Sequence, residues 1–301
     1  MTPRSRFALV YNSHAGMALP RLLDGVLRQL RADGAEVFQL PARSAHEASE
    51  CVREAAEKEI CDAVIAAGGD GTFRAVATGA AGSSLPVGVI PLGTGNVIAR
   101  ELGMPWTPNG LAHVLTAGPA IPVQGGLVNG APFFLMVGAG FDGRIIAGLN
   151  YNAKRLMGRA AFAPPVIKAL VKGAQAFDVV VDGAEMSASW IIVARASRYG
   201  GSFVLSNETR LGVPEMIAVV IAAETRLQLA AACLALAHGR LADPVARPNF
   251  VHVFRAQVVE IGARVEAPVE IDGDQAGVTP VAIRRDGPVV NVIAPPGYAH
   301  A

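Results

Sequence analysis

The first third of the chain alternates short apolar runs with longer segments whose apolar residues recur at helical spacing. The apolar runs predict buried strands at Phe7–Tyr11, Glu36–Leu40, Ala63–Ala67 and Pro86–Pro91. The intervening segments Leu19–Gly34 and Ser44–Glu59 predict helices, the second with Ser44 as N-cap and Glu47 as its capping-box partner. Strands that alternate with helices predict a parallel sheet joined by crossovers.

The pattern changes after about residue 118, where short strand-like runs separated by Gly, Pro and Asn take over. This spacing favours an antiparallel sandwich or barrel. The apolar helix predicted from Thr225 to about His238 packs into a core or anchors the protein at a membrane. We therefore expect an α/β plus all-β protein: a parallel α/β domain over residues 1–118, to which a C-terminal strand within 287–301 returns, and a β-sandwich over residues 119–286.

Composition narrows the set of partners. The chain has 301 residues, 51% of them hydrophobic, and a formal net charge of +1, so no bulk electrostatic field recruits nucleic acid. Cys51, Cys61 and Cys233 are too scattered for a disulfide framework or a zinc site, which favours a reducing compartment. The N-terminus resembles no signal peptide. We expect a cytoplasmic protein, with transient peripheral contact with membranes and homodimerisation as further expectations.

The stretch VIAAGGDGTFRAVATG, residues 64–79, places a carboxylate among three glycines where a strand meets a helix. Glycines let backbone N–H groups close on phosphate oxygens, and the helix N-terminus adds partial positive charge. Asp70 would repel a polyphosphate unless a divalent cation stood between them, so we interpret it as a Mg²⁺ ligand. A turn or helix-capping Asp is the alternative.

A second glycine turn, PLGTGN from Pro91 to Asn96, repeats the arrangement one strand later. The two loops are therefore placed to flank one nucleotide, with Thr94 and Asn96 donating to phosphate or ribose. The later GAGFDG, residues 138–143, fits the dinucleotide fingerprint, but no acid lies about 20 residues downstream, so we discount that role. Asp142 within it is a turn residue or a substitute for an acid missing elsewhere.

These segments, together with FALVYNSHAG, RYGGSF and VEIDGD, resemble in order and spacing the diacylglycerol kinase catalytic-domain family. That family includes bacterial soluble lipid kinases and sphingosine kinases, and shares the GGDG loop with NAD kinases. The resemblance implies ATP and Mg²⁺ as cofactors, a lipid substrate and an active site between two domains. The nucleotide-binding positions it implies are Asn12, Ser13, His14, Ala15, Gly16, Ser44, Gly68, Gly69, Asp70, Gly71, Thr72, Phe73, Arg74, Ala75, Gly93, Thr94, Gly95 and Asn96.

The resemblance also implies that the acids of Asp272-Gly273-Asp274 supply the base that takes the proton from the lipid hydroxyl, with Asp272 first and Asp274 next. If the resemblance is set aside, the alternative interpretation of this segment is a solvated Asp-Gly hairpin turn. Three acids that help to organise Mg²⁺ in relatives are replaced by Ala75, Val97 and Gln124. The expected function is a lipid kinase; the alternatives are an inactive lipid- or nucleotide-binding relative and a kinase for NAD or another metabolite.

Overall fold

The computed structural model describes residues 3–11, 20–150, 152–153, 157–262 and 265–298. The chain divides into two compact units. The first runs to Gln124 and includes the C-terminal segment from Pro288, and the second is Gly125–Gly287.

The first unit contains one six-stranded sheet with helices between its strands. The strands are β1 (Arg6–Val10), β2 (Glu36–Gln39), β3 (Ala63–Gly68), β4 (Val87–Pro91), β5 (Ala120–Gln124) and β20 (Val289–Ile293). The helices are α1 (Arg21–Ala32), α2 (Ala45–Glu57), α3 (Asp70–Ala80), α4 (Val97–Glu101) and α5 (Pro108–Ala117). The strand order is β2-β1-β3-β4-β20-β5, and all pairs are parallel except β20 with β5.

Burial explains why these segments fold as they do. The five alanine, valine and isoleucine residues of β3 are fully buried, as expected for a parallel strand covered on both faces. Helix α1 buries one face, formed by Leu23, Val26, Leu27 and Leu30.

The predicted cap of α2 is confirmed, because Ser44 Oγ accepts the Glu47 N–H at 3.1 Å. The Glu47 carboxylate accepts the N–H of Arg43 at 2.8 Å, one residue before the position that a capping box requires.

The strand β5 differs from the sequence expectation. The change of pattern placed Ala120–Gln124 in the second domain, but the strand pairs with β20 at the edge of the first sheet. Its buried Ile121 and Val123 alternate with more exposed positions, as in any antiparallel edge strand, so the alternation alone does not tell which sheet it joins.

The second unit contains two six-stranded antiparallel sheets. One sheet has the order β10-β9-β16-β19-β6-β7 and is built from β6 (Gly126–Val128), β7 (Ala131–Phe133), β9 (Phe177–Val181), β10 (Ala184–Ala188), β16 (Val258–Ile261) and β19 (Val281–Arg284). The other has the order β15-β14-β11-β8-β17-β18 and is built from β8 (Met136–Gly140), β11 (Trp190–Ala194), β14 (Ile217–Ile221), β15 (Val251–Arg255), β17 (Pro268–Ile271) and β18 (Asp274–Val278). A small hairpin joins β12 (Arg198–Tyr199) and β13 (Phe203–Val204).

The core of the second unit lies between these two sheets. Its buried cluster takes Val179, Val259 and Ile283 from the first and Ile191 and Val220 from the second. Two apolar faces packed against each other make a β-sandwich. The predicted fold class, a parallel α/β unit and an antiparallel β-sandwich, is confirmed.

In the described part of the second unit, the α-helices of known bounds are α6 (Phe141–Ala147), α7 (Ala163–Lys172) and α8 (Arg226–Ala237), and a 3-10 helix spans Gly158–Phe162. Helix α8 begins with a capping box formed by Thr225 and Gln228, and buries Leu229, Ala232 and Leu236. Those buried residues give α8 a role in the core. Within the residues that the structure describes, no helix is long and apolar enough to cross a membrane.

Candidate functional site

Two glycine turns follow neighbouring parallel strands and so meet at the same edge of the first sheet. Strands β3 and β4 pair in register up to Gly68 opposite Pro91. The N–H of Leu92 then donates to the carbonyl oxygen of Gly68 at 3.0 Å. Ligands of open α/β sheets bind at the carboxyl ends of the strands, which is where both turns lie.

The backbones of the two turns are in contact through glycine. A Cβ atom on Gly93 would lie 2.6 Å from the Cα of Gly69, closer than real Cβ contacts come. Likewise, a Cβ on Gly68 would lie 2.2 Å from Oγ1 of Thr72. Side chains at positions 68 and 93 would therefore separate the loops or displace Thr72.

Asp70 connects the two turns. It is the first residue of α3, and its Oδ1 accepts the N–H of Ile98 in the first turn of α4 at 3.0 Å. A Cβ on Gly95 would lie 3.3 Å from Asp70 Oδ2, so the second turn closes over this carboxylate. The capping interpretation of Asp70 is thus part of its role, since it stabilises a helix that begins in the other loop.

Asn96 closes the second turn from inside. It is buried, has a φ of +49°, and uses both ends of its amide on Gly93: Oδ1 accepts the Gly93 N–H at 2.8 Å, and Nδ2 donates to the Gly93 carbonyl at 2.6 Å. Nε of Arg100 donates to the carbonyl oxygen of Gly95 at 3.2 Å, while its guanidinium lies 4.9 Å from the centre of the Trp106 ring. The side chain that we expected to meet phosphate or ribose therefore shapes the loop.

The first turn fits a phosphate group. Helix α3 has as its N-cap Gly69, which has no side chain to accept a hydrogen bond from the helix start. Backbone N–H groups at such a terminus, with the helix dipole behind them, favour an anion. Among the described residues, no group of three His, Cys, Asp or Glu side chains is placed to hold a metal ion. Asp70 alone would therefore give a Mg²⁺ ion a single carboxylate, and phosphate oxygens and water would have to supply its other ligands.

The other predicted nucleotide residues divide into three groups. Gly71, Arg74 and Thr94 are half-buried and lie in or next to the two turns in sequence. Phe73 and Ala75 are buried on the inner side of α3, which gives them a packing role, and Ser44 caps α2. The remaining expected positions, Asn12, Ser13, His14, Ala15 and Gly16, lie outside the described residues.

The acidic segment Asp272-Gly273-Asp274 belongs to the second unit, where it turns β17 into β18. Asp272 and Gly273 have φ values of +50° and +85°, which is the pattern of a tight Asp-Gly hairpin turn. The two acids differ in their surroundings, because Asp272 is only 3% exposed whereas Asp274 is partly exposed.

The Asp272 carboxylate binds the backbone of the segment that leads into β8. Its Oδ1 accepts the N–H groups of Leu135 and Met136, both at 2.9 Å, and its Oδ2 accepts that of Phe134 at 3.1 Å. Three charge-assisted hydrogen bonds fix this carboxylate in position. The sequence did not reveal this anchoring, because a solvated hairpin and a buried one have the same Asp-Gly pattern.

Comparison with known proteins agrees with this architecture. The model of the diacylglycerol kinase catalytic domain matches residues 6–128, and that of the YegS C-terminal NAD kinase beta sandwich-like domain matches residues 135–294. Among curated proteins, the diacylglycerol kinase of Bacillus subtilis (strain 168) is 33% identical over 52% of this chain and 53% of its own length. A Pseudomonas fluorescens protein named as a YegS-like lipid kinase is 37% identical over 33% of each chain.

The chain thus spans about half of the first of these relatives and one third of the second. A crystal structure from Bacillus anthracis str. Sterne, of a protein assigned to the diacylglycerol kinases, covers 99% of both chains with a TM-score of 0.75 at 21% identity, and so supports the fold. The two domain models together extend over most of the described residues, including both glycine turns and the Asp272 hairpin. The chain belongs to the diacylglycerol kinase catalytic-domain family, with a YegS-type C-terminal sandwich.

Proposed function

We propose that this protein is an ATP-dependent lipid kinase that transfers the γ-phosphate to a hydroxyl group of a diacylglycerol-like, phosphatidylglycerol-like or long-chain-base lipid. The observation that carries the proposal is the contact between the two glycine turns, with Asp70 bonded across them to Ile98. This pair of loops supplies backbone donors and one carboxylate, as a Mg²⁺-bound polyphosphate requires. The family to which the chain belongs supports a lipid as acceptor.

Phosphoryl transfer depends on positioning and on neutralising charge rather than on covalent chemistry by the protein. The N-terminus of α3 would orient the phosphate groups, and Asp70 would hold Mg²⁺, which when bound neutralises charge on the phosphate oxygens. Asn96 and Arg100 keep the second turn closed, so that this arrangement exists before ATP binds.

The proton of the attacking hydroxyl needs an acceptor within hydrogen-bond reach. We assign this role to Asp272, because three backbone hydrogen bonds fix its carboxylate in one orientation. Asp274, which is more exposed and two residues away, is the second candidate.

Helix α7 offers a surface for the membrane in which a lipid substrate resides. Its outer face exposes Ile167 (60%) and Val171 (62%), next to the exposed cations Lys168 and Lys172. Its inner face buries Pro165 and Ala169. An apolar stripe beside two lysines complements an anionic lipid surface, since apolar side chains enter the interface while cations meet the headgroups.

The proposed activity is tested with labelled ATP, Mg²⁺ and a panel of the three lipid classes, with NAD as the soluble acceptor. We expect a labelled phospholipid with at least one lipid and no labelled NADP. Lipid and ATP binding without transfer would instead support a binding protein that lost turnover, and phosphorylation of NAD alone would support a metabolite kinase.

Asp70→Asn tests the metal role separately from the capping role. Asparagine keeps an oxygen that can accept the Ile98 N–H but removes the charge, so the unfolding temperature should fall by only a few degrees. Transfer should fall about 100-fold or more, because metal coordination is worth several kcal/mol in the transition state. Calorimetric titration with ATP should lose its Mg²⁺ dependence.

The control for this experiment is Asp24→Asn, which also removes a carboxylate from the first turn of a helix, α1. It should leave transfer unchanged. Full transfer by Asp70→Asn would contradict the metal assignment.

Asp272→Asn and Asp274→Asn locate the base. An asparagine at position 272 cannot accept all three N–H groups, so this variant should unfold at a lower temperature and also lose transfer, with ATP affinity within about twofold of wild type. Asp274→Asn should retain the unfolding temperature and lose less activity. If the folded fraction of Asp272→Asn turns over normally while Asp274→Asn does not, the base is Asp274.

Ile167→Asp tests the membrane face of α7. Burying the Ile167 side chain in the lipid interface should contribute about 2 kcal/mol to the free energy of membrane binding. An aspartate at this position should therefore weaken binding to vesicles that contain phosphatidylglycerol by about tenfold or more. Vesicle co-sedimentation measures the change, and Ile60→Asp, at an exposed isoleucine of the first unit, is the control. Equal binding by both variants would exclude α7 as the contact surface.

A further inference from the structure

Two buried carboxyl groups lie together inside the second unit. Asp142, in the first turn of α6, is 3% exposed, and Glu270, in the middle of β17, is 2% exposed. Both lie over Gly138 of β8, which pairs with Glu270 in the sheet. A Cβ on Gly138 would be 1.9 Å from Asp142 Oδ2 and 2.9 Å from Glu270 Oε1, so glycine leaves the space into which both groups point. We call Asp142 and Glu270 the acid pair.

The outer oxygens of the acid pair have donors. The hydroxyl of Tyr199 donates to Asp142 Oδ1 at 2.5 Å. The N–H of Gly273 donates to Glu270 Oε2 at 2.7 Å. The pair therefore reaches from the β12–β13 hairpin to the turn that carries Asp272 and Asp274.

The inner oxygens, Asp142 Oδ2 and Glu270 Oε1, meet no donor from the described residues. Leaving two buried acceptors without a hydrogen bond destabilises the folded chain. Two ionised carboxylates that are buried side by side would also repel each other strongly. One proton between the inner oxygens removes both penalties, because a protonated carboxyl is a donor and its neighbour accepts.

Among the residues that the structure describes, no cation contributes to the pKa shift of either acid, although Arg144 lies on the same helix as Asp142. Burial raises the pKa of Asp142 to about 6, and burial together with the Asp142 charge raises the pKa of Glu270 well above its usual range. The other described titratable groups that interact with the pair are Tyr199, Cys233 and Asp272. Burial also raises the pKa of the Tyr199 hydroxyl and of the Cys233 thiol, so both stay neutral.

We propose that Asp142 and Glu270 share one proton, and that the resulting hydrogen-bonded pair positions the Asp272-Gly273 turn through the bond from Gly273 N–H to Glu270. Neither acid needs to touch substrate, so both are positioning residues. The importance of the turn for phosphoryl transfer rests on the proposed function, whereas the shared proton does not.

Glu270→Gln tests the shared proton without any assay of activity. Glutamine can accept the Gly273 N–H with its oxygen and donate to Asp142 Oδ2 with its amide, so it imitates the protonated pair at every pH. In the wild type, the folded chain keeps a proton that the carboxyls of the unfolded chain release above about pH 4.3. The free energy of unfolding that the pair contributes is therefore present in full at low pH and falls as pH rises through the raised pKa values.

Wild type and Glu270→Gln should therefore unfold at similar temperatures at pH 5. At pH 8.5 the variant should unfold at least about 2 °C higher. The control is Glu260→Gln, which removes an exposed carboxylate from β16 and should show no such pH-dependent difference. A Glu270→Gln variant that is less stable than wild type by the same amount at both pH values would overturn the proposal, as would stability that depends on a divalent metal in the wild type and not in the variant.

The positioning role is tested by comparing Glu270→Gln with Glu270→Ala. Alanine removes the acceptor of the Gly273 N–H, so kcat for lipid phosphorylation should fall about tenfold or more while KM for ATP stays the same. Glutamine should restore most of kcat and flatten the pH dependence of kcat on its alkaline side. Equal losses in both variants would refute positioning through Gly273. If no lipid is phosphorylated by the wild type, the proposed function fails, while the pH-dependent unfolding still decides the shared proton.

Discussion

The contact between Gly69 and Gly93 is the constraint on which the candidate nucleotide site depends. Their backbones approach so closely that a single Cβ on Gly93 would meet Gly69 at 2.6 Å. Two strand ends of a parallel sheet place the loops side by side, but only glycine lets them touch. That contact brings Asp70 within reach of the Ile98 N–H, and one carboxylate then holds both loops together. An acid among the glycines therefore has a structural reason even before a metal binds.

The second unit uses buried acids in a comparable way. Asp272 holds the segment Phe134–Met136 through three backbone hydrogen bonds, and Glu270 holds Gly273 from the other side of the same turn. Burying a carboxyl group destabilises the folded state unless the group is hydrogen-bonded or protonated. Asp272 is hydrogen-bonded, and Glu270, two residues away, is proposed to share a proton. Buried carboxyl groups thus fix the turn that carries the proposed base. Packing of the sandwich core must offset the free energy of desolvating them.

Much of this architecture is predictable from the sequence, because strand and helix periodicities in the first third are strong and the glycine turns stand at their junctions. The change of pattern after residue 118 predicted a second, antiparallel unit, and the family resemblance implied the same arrangement, which the domain models confirm. The assignment of Ala120–Gln124 was not predictable, since an antiparallel edge strand has the same alternation in either sheet.

The burial of individual polar residues could not be predicted from the sequence either. Asn96 looked like a ligand donor, but its amide closes its own turn, which depends on a left-handed backbone that the letters PLGTGN do not specify. Glu270 was not singled out at all, because a lone acid in a strand normally faces water. Its pairing with Asp142 across Gly138 arises from contacts between distant segments, so no local pattern reveals it.

Hydrogen–deuterium exchange of the intact protein, with and without ATP and Mg²⁺, tests the central claim most directly, because it reports on the backbone amides of both glycine turns at once. The account predicts slower exchange in peptides that cover residues 68–75 and 91–98 when ATP and Mg²⁺ are present together, and no change with Mg²⁺ alone. Unchanged exchange in both turns at saturating ATP and Mg²⁺ would contradict it.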